Sequence, residues 1–452
     1  MKYIALTLGP IVDTLVLGRK TSEIWMASYI FSSLMKKTIK EIRETTDAKF
    51  IIPFVEDEAL FATKDDGIGM FHDRFILTSE NLCLEDIQTI LTKQKRELSK
   101  MIAHSINRDE KKVDAFVQSY IQTYLFESEE QFENPLLEIS DILDSIELHT
   151  PRVESDEDYM RLFLNRDILL NSSLAKDSFG KKPSFDAIES IAAQELGEDV
   201  NATNAYKYIA IIHADGDNLG KYIKKQNDVS QISKKLFEFD KQAVKTIKKF
   251  GALPLFVGGD DLLIFAPVIN NNETIFDLMN ALSKDYQDTL QTQASTLSFG
   301  VSITYYKFPL YEALEKSRDA LFSKAKKYQD KNAVAINAQK HSGQSFSFCV
   351  NKHEEAYTKF SDLIDAVLNK KIELPHAIHH KLHKHQALLQ QIKQTQLQDT
   401  FENIFNEDMH KTKFKEGLTQ IQELMSSLGL KKEEQEKLFS MLSTIKLLRG
   451  DR

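Results

Sequence analysis

Two short apolar runs in the second half of the chain each end on acidic residues, and the interval between them is the length of one helix. Tyr208 to Gly220 reads YIAIIHADGDNLG, and Leu253 to Ala266 reads LPLFVGGDDLLIFA. In the second run apolar residues lead into Gly258-Gly259, and Leu262 to Ala266 lead away from Asp260-Asp261. That is the pattern of a β-hairpin, with glycine supplying the positive φ of a tight turn. Asp260 and Asp261 are expected at its tip. Asp215, followed by Gly216, brings a further carboxylate and a bare backbone carbonyl to another strand end.

Carboxylate and carbonyl oxygens are the ligands that magnesium prefers, and the ion keeps room for substrate phosphates. Two such ions activate an attacking 3′-hydroxyl and neutralise a leaving pyrophosphate. Asp217, Asn218 and Gly220 precede or open the amphipathic run Leu219 to Phe250, which predicts a helix whose N-terminal amides can hold a phosphate. Each piece alone is also ordinary turn composition. Their combination points to nucleotidyl transfer.

A third segment extends the pattern. The strand Thr296 to Tyr305 precedes a helix over Leu310 to Tyr328, which carries Lys324, Lys326 and Lys327, and a strand over Ala333 to Asn337. From residue 206 onward the order is strand, helix, hairpin, helix, strand, helix, strand. This is an α+β fold with a ferredoxin-like βαββαβ palm plus one strand, and it places Lys326 within reach of a triphosphate. The bland alternative for Lys326 is a solvated helix C-terminus, where lysine complements the dipole.

Residues 199 to 345 resemble the palm of GGDEF nucleotide cyclases. They are more similar to the palm of the large subunit of type III CRISPR effector complexes, the Cas-ten family in its Cmr-two branch (type III-B). The resemblance rests on ADGDNLGK at Ala214 to Lys221, GGDD at Gly258 to Asp261, LSFGVSI at Leu297 to Ile303, KFPLYEAL at Lys307 to Leu314 and AKK at Ala325 to Lys327. It implies an ATP-dependent nucleotidyltransferase that makes a second messenger when target RNA is bound, in antiviral defence. The product would be a cyclic oligoadenylate or a conjugate of ATP with S-adenosylmethionine. Two Mg2+ or Mn2+ ions would be held by Asp215, Asp260, Asp261 and the Gly216 carbonyl, with Asp215 and Asp260 bridging them. Asp217, Asn218, Gly220, Gly258, Gly259, Ser298 and Lys326 would bind nucleotide, Ser298 from the base pocket. Implied partners are Cas-five-like and small subunits, guide RNA and target RNA.

The first forty residues repeat the theme without the acids. Tyr3 to Leu8 reads as a strand, Gly9-Pro10 as a turn, Ile11 onward as helix, and a second helix starts near Ser22 with Thr21 or Ser22 as cap. Phe50 to Val55 and Gly67 to Leu77 read as strands. Gly9, Pro10, Arg19, Lys20, Thr21, Trp25, Ser28 and Tyr29 match the family's first palm-like domain, and Gly9-Pro10 stands where Asp215-Gly216 stands in the second palm. The expectation is a catalytically silent palm over 1–105 that completes the nucleotide pocket. His72-Asp73 superficially suggests the HD nuclease of other family members. That nuclease precedes the first palm and needs more ligands, so none is expected here.

Leu84 to Ile106 and Val113 to Phe126 show helical spacing, placing a helical domain over 106–198. Cys83 and Cys349 are the only cysteines, so neither a disulfide framework nor the zinc site of some relatives is expected, and a reducing cytoplasm is the natural setting. Lys182 to Leu196 matches a Pro-Ser segment of the family, and 197–203 reads as linker. After a polar stretch around Gly343, residues 346–452 read as a helical bundle. It contains His376, His379, His380, His383 and His385, best read as a polar helix face. The net charge of −9 excludes a chain that traps nucleic acid by charge overall, so RNA contacts need local basic patches or partner subunits. No run is long enough to span a bilayer. The competing readings are a structural subunit with two silent palms, and a GGDEF-type cyclic dinucleotide cyclase. The latter fits less well because Asp261-Leu262 replaces the usual Glu-Phe.

Overall fold

The computed structural model describes residues 2–61, 68–149, 153, 155–179, 191, 207–225, 229–375 and 377–450. Two sheets organise the described residues. The first contains β1 (Lys2–Gly9), β2 (Lys49–Ile52), β3 (Arg74–Ser79) and β4 (Gln122–Ser128) in the order β2-β3-β1-β4, all antiparallel. The second contains β5 (Tyr208–Asp217), β6 (Leu253–Gly258), β7 (Asp261–Pro267), β10 (Thr296–Tyr305), β11 (Ala333–Gln339) and β12 (Ser345–Asn351), in the order β12-β11-β10-β5-β7-β6. A small ladder of β8 (Ile269–Asn270) and β9 (Glu273–Thr274) lies between β7 and the next helix. The fold is α+β with two palm-type sheets, as expected.

Strand alternation explains why the second sheet is buried on both faces. Ala210, Ile212 and Ile264 share a core with Phe239, Ala243 and Ile247 of the helix Val229–Lys249, and with Met279, Leu282 and Tyr286 of the helix Ile275–Leu290. The residues between them in sequence, Ile209, Ile211, Leu263 and Phe265, join Trp25, Phe31 and Phe75 of the first domain in another core. Trp25, Phe31, Phe75 and Phe265 are almost wholly enclosed, and burying each such side chain stabilises by about 2–3 kcal/mol. The two palms are thus fused through a shared core. At the sheet edge the amide of Val257 donates to the Gly69 carbonyl at 3.2 Å, so first-domain backbone covers β6 and leaves it less available for pairing elsewhere.

Several expected elements shift. Gln122–Ser128 is a strand paired with β1 rather than the end of a helix, because its Tyr124 and Phe126 are recruited by β1 after the helix Glu110–Tyr120 ends. The first sheet therefore runs past residue 105. β12 likewise carries the second sheet to Asn351, past 345; its Phe346, Phe348 and Val350 alternate with polar residues in a stretch expected to be polar connection. The run Leu219 to Phe250 is two helices, Leu219–Ile223 and Val229–Lys249. A one-turn helix at Leu219 has too little dipole for the expected phosphate cradle. The helix Thr21–Thr45 is capped by neither Thr21 nor Ser22; the Glu23 carboxylate accepts from the amides of Arg19 at 2.8 Å and Lys20 at 3.2 Å. The helix Leu310–Asp319 continues as a wide π-helical turn, Ala320–Ala325.

The C-terminal helices include Glu355–Leu368, Ile378–Lys384, Lys415–Leu428 and Lys432–Arg449. His379 and His383 lie against the Phe439 ring, with centroids 5.8 and 5.6 Å apart. His376, Gly67, most of the Lys182 to Leu196 match and the 197–203 linker lie outside the described residues. Among the described residues, no helix is long and apolar enough to cross a membrane.

Candidate functional site

β5 lies at the centre of the second sheet, between β10 and β7, so its C-terminal end delivers Asp215 beside the β6–β7 hairpin. Gly258 pairs with Asp261 across a two-residue turn, Gly259-Asp260, with Gly259 at φ 68°. Glycine at the first central position is what the type II′ hairpin turn demands. Gly216 has a second steric role. A Cβ there would fall on the Asp260 carboxyl group, whose Cγ lies 2.8 Å from that position. Only glycine lets Asp260 fold over β5 next to Asp215.

Asp215, Asp260 and Asp261 therefore crowd together. Burial and then the Asp215 charge raise the Asp260 carboxyl to about 7, against the pull of Lys326. Asp261 is pushed well above the ordinary carboxylate range by the protein packed around it and by the charges of Asp260 and Asp215. Such a cluster favours protons or cations. The Lys326 ammonium supplies one: it pairs with the Asp215 carboxylate, lies 3.0 Å from Asp217 Oδ1 and donates to the backbone carbonyls of Asp215 (2.9 Å) and Gly216. With Lys326 seated there, the carboxylates do not stand ready as metal ligands, and among the described residues no group of three or more His, Cys, Asp or Glu does. The oxygens around Lys326 nonetheless form an all-oxygen cation cradle, and this donor set fits a hard divalent ion.

Two expected nucleotide contacts belong instead to the support of this cradle. Asp217 is fully buried. Its Oδ2 accepts from Thr296 Oγ1 (2.9 Å), Ser298 Oγ (2.7 Å) and the Asn332 amide (2.9 Å). Its lone pairs are spent on β10, the β11 approach and Lys326. Ser298 is also fully buried and accepts from the Ala333 amide at 3.2 Å; it lines neither cavity described below. Gly258, a third expected contact, is buried beneath the Phe256 ring. Asn218, Gly220 and Gly259 do reach the site: with Gly216, Asp260 and Asp261 they line a cavity of about 750 Å³.

The first domain forms the opposite wall, with Pro53, Phe54 and Met70 to Arg74. His72 is the residue that a Cβ on Gly259 would strike, and its ring meets Phe256 edge-on at 6.1 Å. Burial, then Arg74, lowers the His72 imidazole to about 4, and burial raises Asp73 to about 6. Sequence reasoning set this dipeptide aside with the nuclease motif it superficially resembles; its place opposite the hairpin follows from the domain packing. Asp240 was missed altogether. It is 3% exposed, lines the cavity, accepts from the Gly259 amide and leaves Oδ1 without a partner. The available signal was a carboxylate on the apolar helix stripe Leu236, Ala243 and Ile247.

A second cavity of about 280 Å³ lies across the hairpin, lined by Ile11 to Val16 except Asp13 and Thr14, by Ser28 to Ser32 in part, and by His213, Asp261 and Phe322. It pairs the helices that follow β1 with the second sheet, as the larger cavity pairs the helices that follow β5 with the first domain.

A duplicated palm, with acids on one copy and cavities at the junction, defines a protein of the tandem palm-domain class. The family described as "Cas10/Cmr2, second palm domain" matches residues 208–335, and "CRISPR-associated protein Cmr2, N-terminal" matches residues 3–113. The chain belongs to the Cas10/Cmr2 family. Subunit Cmr2 of the Pyrococcus furiosus CRISPR Cmr system is 28% identical over 228 residues, which cover 43% of this chain and 26% of that protein. The match thus spans about a quarter of the length of that curated relative. A chain of the type III-B Cmr-beta complex aligns with 100% of this chain and 82% of its own in the apo state, at TM-score 0.63 and 10% identity. Bound to cognate target RNA it aligns with 89% and 78%, at TM-score 0.59 and 10% identity. A chain of the Csm1-Csm4 cassette in complex with cA4 aligns with 99% and 69%, at TM-score 0.51 and 11% identity. These likenesses show a shared fold.

Proposed function

We propose that this chain is the large subunit of a type III-B CRISPR effector complex and converts ATP into a nucleotide second messenger when the complex holds target RNA. One observation carries the reading: Asp215 and Lys326 converge with Asp260 and Asp261, and the latter two line a cavity that the first domain closes. About 750 Å³ is ample for a nucleoside triphosphate. A structural subunit has no need of three crowded carboxylates, two of which, Asp260 and Asp261, have their proton affinities raised by burial at a cost to stability.

In this reading Asp215, Asp260, Asp261 and the Gly216 carbonyl hold two Mg2+ or Mn2+ ions. When bound, such ions activate the attacking hydroxyl and neutralise the leaving pyrophosphate. Lys326 exchanges its carboxylate partners for phosphate oxygens, while Asn218, Gly220 and Gly259 line the bed of the nucleotide. His72 and Pro53 on the opposite wall exclude water. The smaller cavity takes the base of the second substrate, and its apolar lining suits a stacking ring. The reaction joins a ribose 3′-oxygen to the α-phosphorus of ATP and releases pyrophosphate. With S-adenosylmethionine as co-substrate, a ribose hydroxyl of that molecule attacks the same α-phosphorus, and pyrophosphate again leaves. Cas-five-like and small subunits, with guide RNA, complete the assembly.

The test incubates the assembled complex with magnesium or manganese, ATP, S-adenosylmethionine and target RNA, and measures pyrophosphate and new nucleotides. Asp260→Ala combined with Asp261→Ala is expected to abolish both. Activity that survives this double change overturns the site, and absence of product from the unaltered complex under every RNA condition favours the structural subunit.

A further inference from the structure

The far end of the second sheet carries a different surface. One residue in about seven is acidic across the chain, 67 of 452, yet three long segments, 289–311, 331–353 and 374–398, contain no Asp or Glu. The fold brings them together. Tyr305 ends β10, His341 lies in the β11–β12 connection, and their rings are 4.4 Å apart. Lys340 and Lys446 both act electrostatically on His379 of the third segment, which also meets Ser443 of the last helix at 3.2 Å. Glu407, which reaches the helix Ile378–Lys384, is neutralised there by Lys381 at 2.5 Å.

Aromatic rings are interleaved with these cations. Tyr305 is flanked by Tyr306 at 4.6 Å and His341 at 4.4 Å. Lys307 lies over the Tyr306 ring at 5.3 Å, and Lys316 over Phe308 at 4.4 Å. Lys207 joins the cluster through its carbonyl, which accepts from the Tyr306 amide at 2.9 Å. Tyr305 and Tyr306 are half-buried, and Lys307 and His341 are exposed. Half-buried rings are held in place while keeping part of their surface open to solvent, and unpaired bases stack on aromatic side chains of this kind; lysines beside them meet the phosphates. In the β5–β10 register Tyr305 stands opposite Tyr208, whereas Asp215 stands opposite Ser298. The cluster is therefore roughly 23 Å along the strands from the acidic site, and it is a separate surface.

We propose that this face, built from Tyr305, Tyr306, Lys307, Lys340 and His341 with Lys207 beside them, binds single-stranded RNA through base stacking and phosphate contacts. Charge complementarity and the stacked rings favour a polynucleotide over an acidic protein, whose side chains have no flat rings to stack. The choice of RNA over DNA rests on the role proposed above. The chemistry at the acidic site does not enter the test.

The test uses the full chain and a fluorescein-labelled 20-nucleotide oligouridylate, with anisotropy read over a range of salt. Tyr306→Ala is expected to weaken binding about tenfold with little change in salt dependence, and Tyr306→Phe to restore it. Lys307→Gln with Lys340→Gln is expected to reduce the slope of log K against log salt by about 1.4, or about 0.7 for each phosphate that is no longer neutralised. Lys40→Gln with Lys100→Gln, on the first domain, serves as control. The proposal is overturned if the unaltered chain binds no RNA, or if the control weakens binding as much as the patch variants. It is equally overturned if the matching oligodeoxynucleotide binds more tightly, or if polyglutamate competes fully while Tyr306→Ala has no effect; that last result marks a protein-docking face. Asp260→Ala with Asp261→Ala leaves RNA affinity unchanged, so loss of nucleotide synthesis and loss of this surface are read separately.

Discussion

Replacing Asp217 with asparagine preserves shape and removes one charge from the support beneath the cation cradle. In the native arrangement Oδ2 accepts three hydrogen bonds, from Thr296, Ser298 and the Asn332 amide, while Oδ1 faces Lys326 at 3.0 Å. An amide has one oxygen. If it serves the three donors, its NH2 points at the Lys326 ammonium; if it serves Lys326, its NH2 points at the Asn332 amide. Breaking a buried ion pair costs about 3–5 kcal/mol. Lys326 keeps Asp215 as a partner, so the lower end applies, about 3 kcal/mol. The whole chain has two sheets and two large cores, so a single unfolding free energy is the wrong readout. Trp25, the only tryptophan, lies in the core that the two palms share, so its fluorescence does not separate them. Amide hydrogen exchange in β5 and β10 does. At 1.4 kcal/mol per tenfold, exchange there is expected to quicken about a hundredfold, with exchange in β1 and β3 of the first sheet changed far less. Exchange within threefold of the native chain in both strands would falsify the view that this carboxylate holds the cradle together.

Other consequences can be measured singly. Gly259→Ala places a Cβ at φ 68° against His72, whereas Gly343→Ala places one at φ 86° with nothing within 4 Å. Both incur about 1–2 kcal/mol of backbone strain, but only Gly259→Ala is expected to weaken ATP binding, as read by calorimetric titration; equal affinities would show that the turn tolerates displacement. Gly300→Ala drives a Cβ into the backbone of Ser317 and Leu321 and is expected to destabilise by about 1–3 kcal/mol, seen as faster exchange in β10. Burial, then Arg318, holds the His213 imidazole down to about 3. The unfolded chain takes up that proton first, so the contribution of His213 is intact above about pH 6.5 and is lost as the pH falls towards 3. His213→Gln is expected to flatten the decline in urea midpoint between pH 6.5 and 5. Asp73, raised to about 6, works in the opposite sense, since its folded form keeps a proton up to a higher pH than the unfolded one. The single-residue comparison therefore isolates His213.

Local pattern alone located most of the acidic site. The apolar run into Gly258-Gly259 predicts a hairpin because only a few residue types accept that turn; the hairpin is there, with Gly259-Asp260 as its turn, and Asp261 is paired with Gly258 at the start of β7 rather than at the tip. Thr296 to Tyr305 has the bounds read from its alternation. Where pattern misled, a distant partner decided the outcome. Gln122–Ser128 has spacing compatible with a helix until β1 supplies hydrogen bonds along its length. The Ser345–Asn351 run is polar at every second position, and only β11 on one side makes it a strand.

Residue roles divide in the same way. That Asp215, Gly216, Asp260 and Asp261 come together was legible because acids and glycines at strand ends and hairpin turns are a local property of sequence. Asp217 and Ser298 carry equally suggestive types, yet their side chains face into the protein between β5 and β10; the register across the sheet sets that direction. Asp240, His72 and Asp73 enter the site only because the first domain packs on the second and the helix Val229–Lys249 turns its carboxylate inward. Sequence by itself determined which strand ends hold acids and which palm lacks them, because turns and alternation are short-range constraints. Tertiary structure decided which of those oxygens face the cavity, what stands opposite them, and that Lys326 rests among them, because burial and direction depend on neighbours far away in the chain.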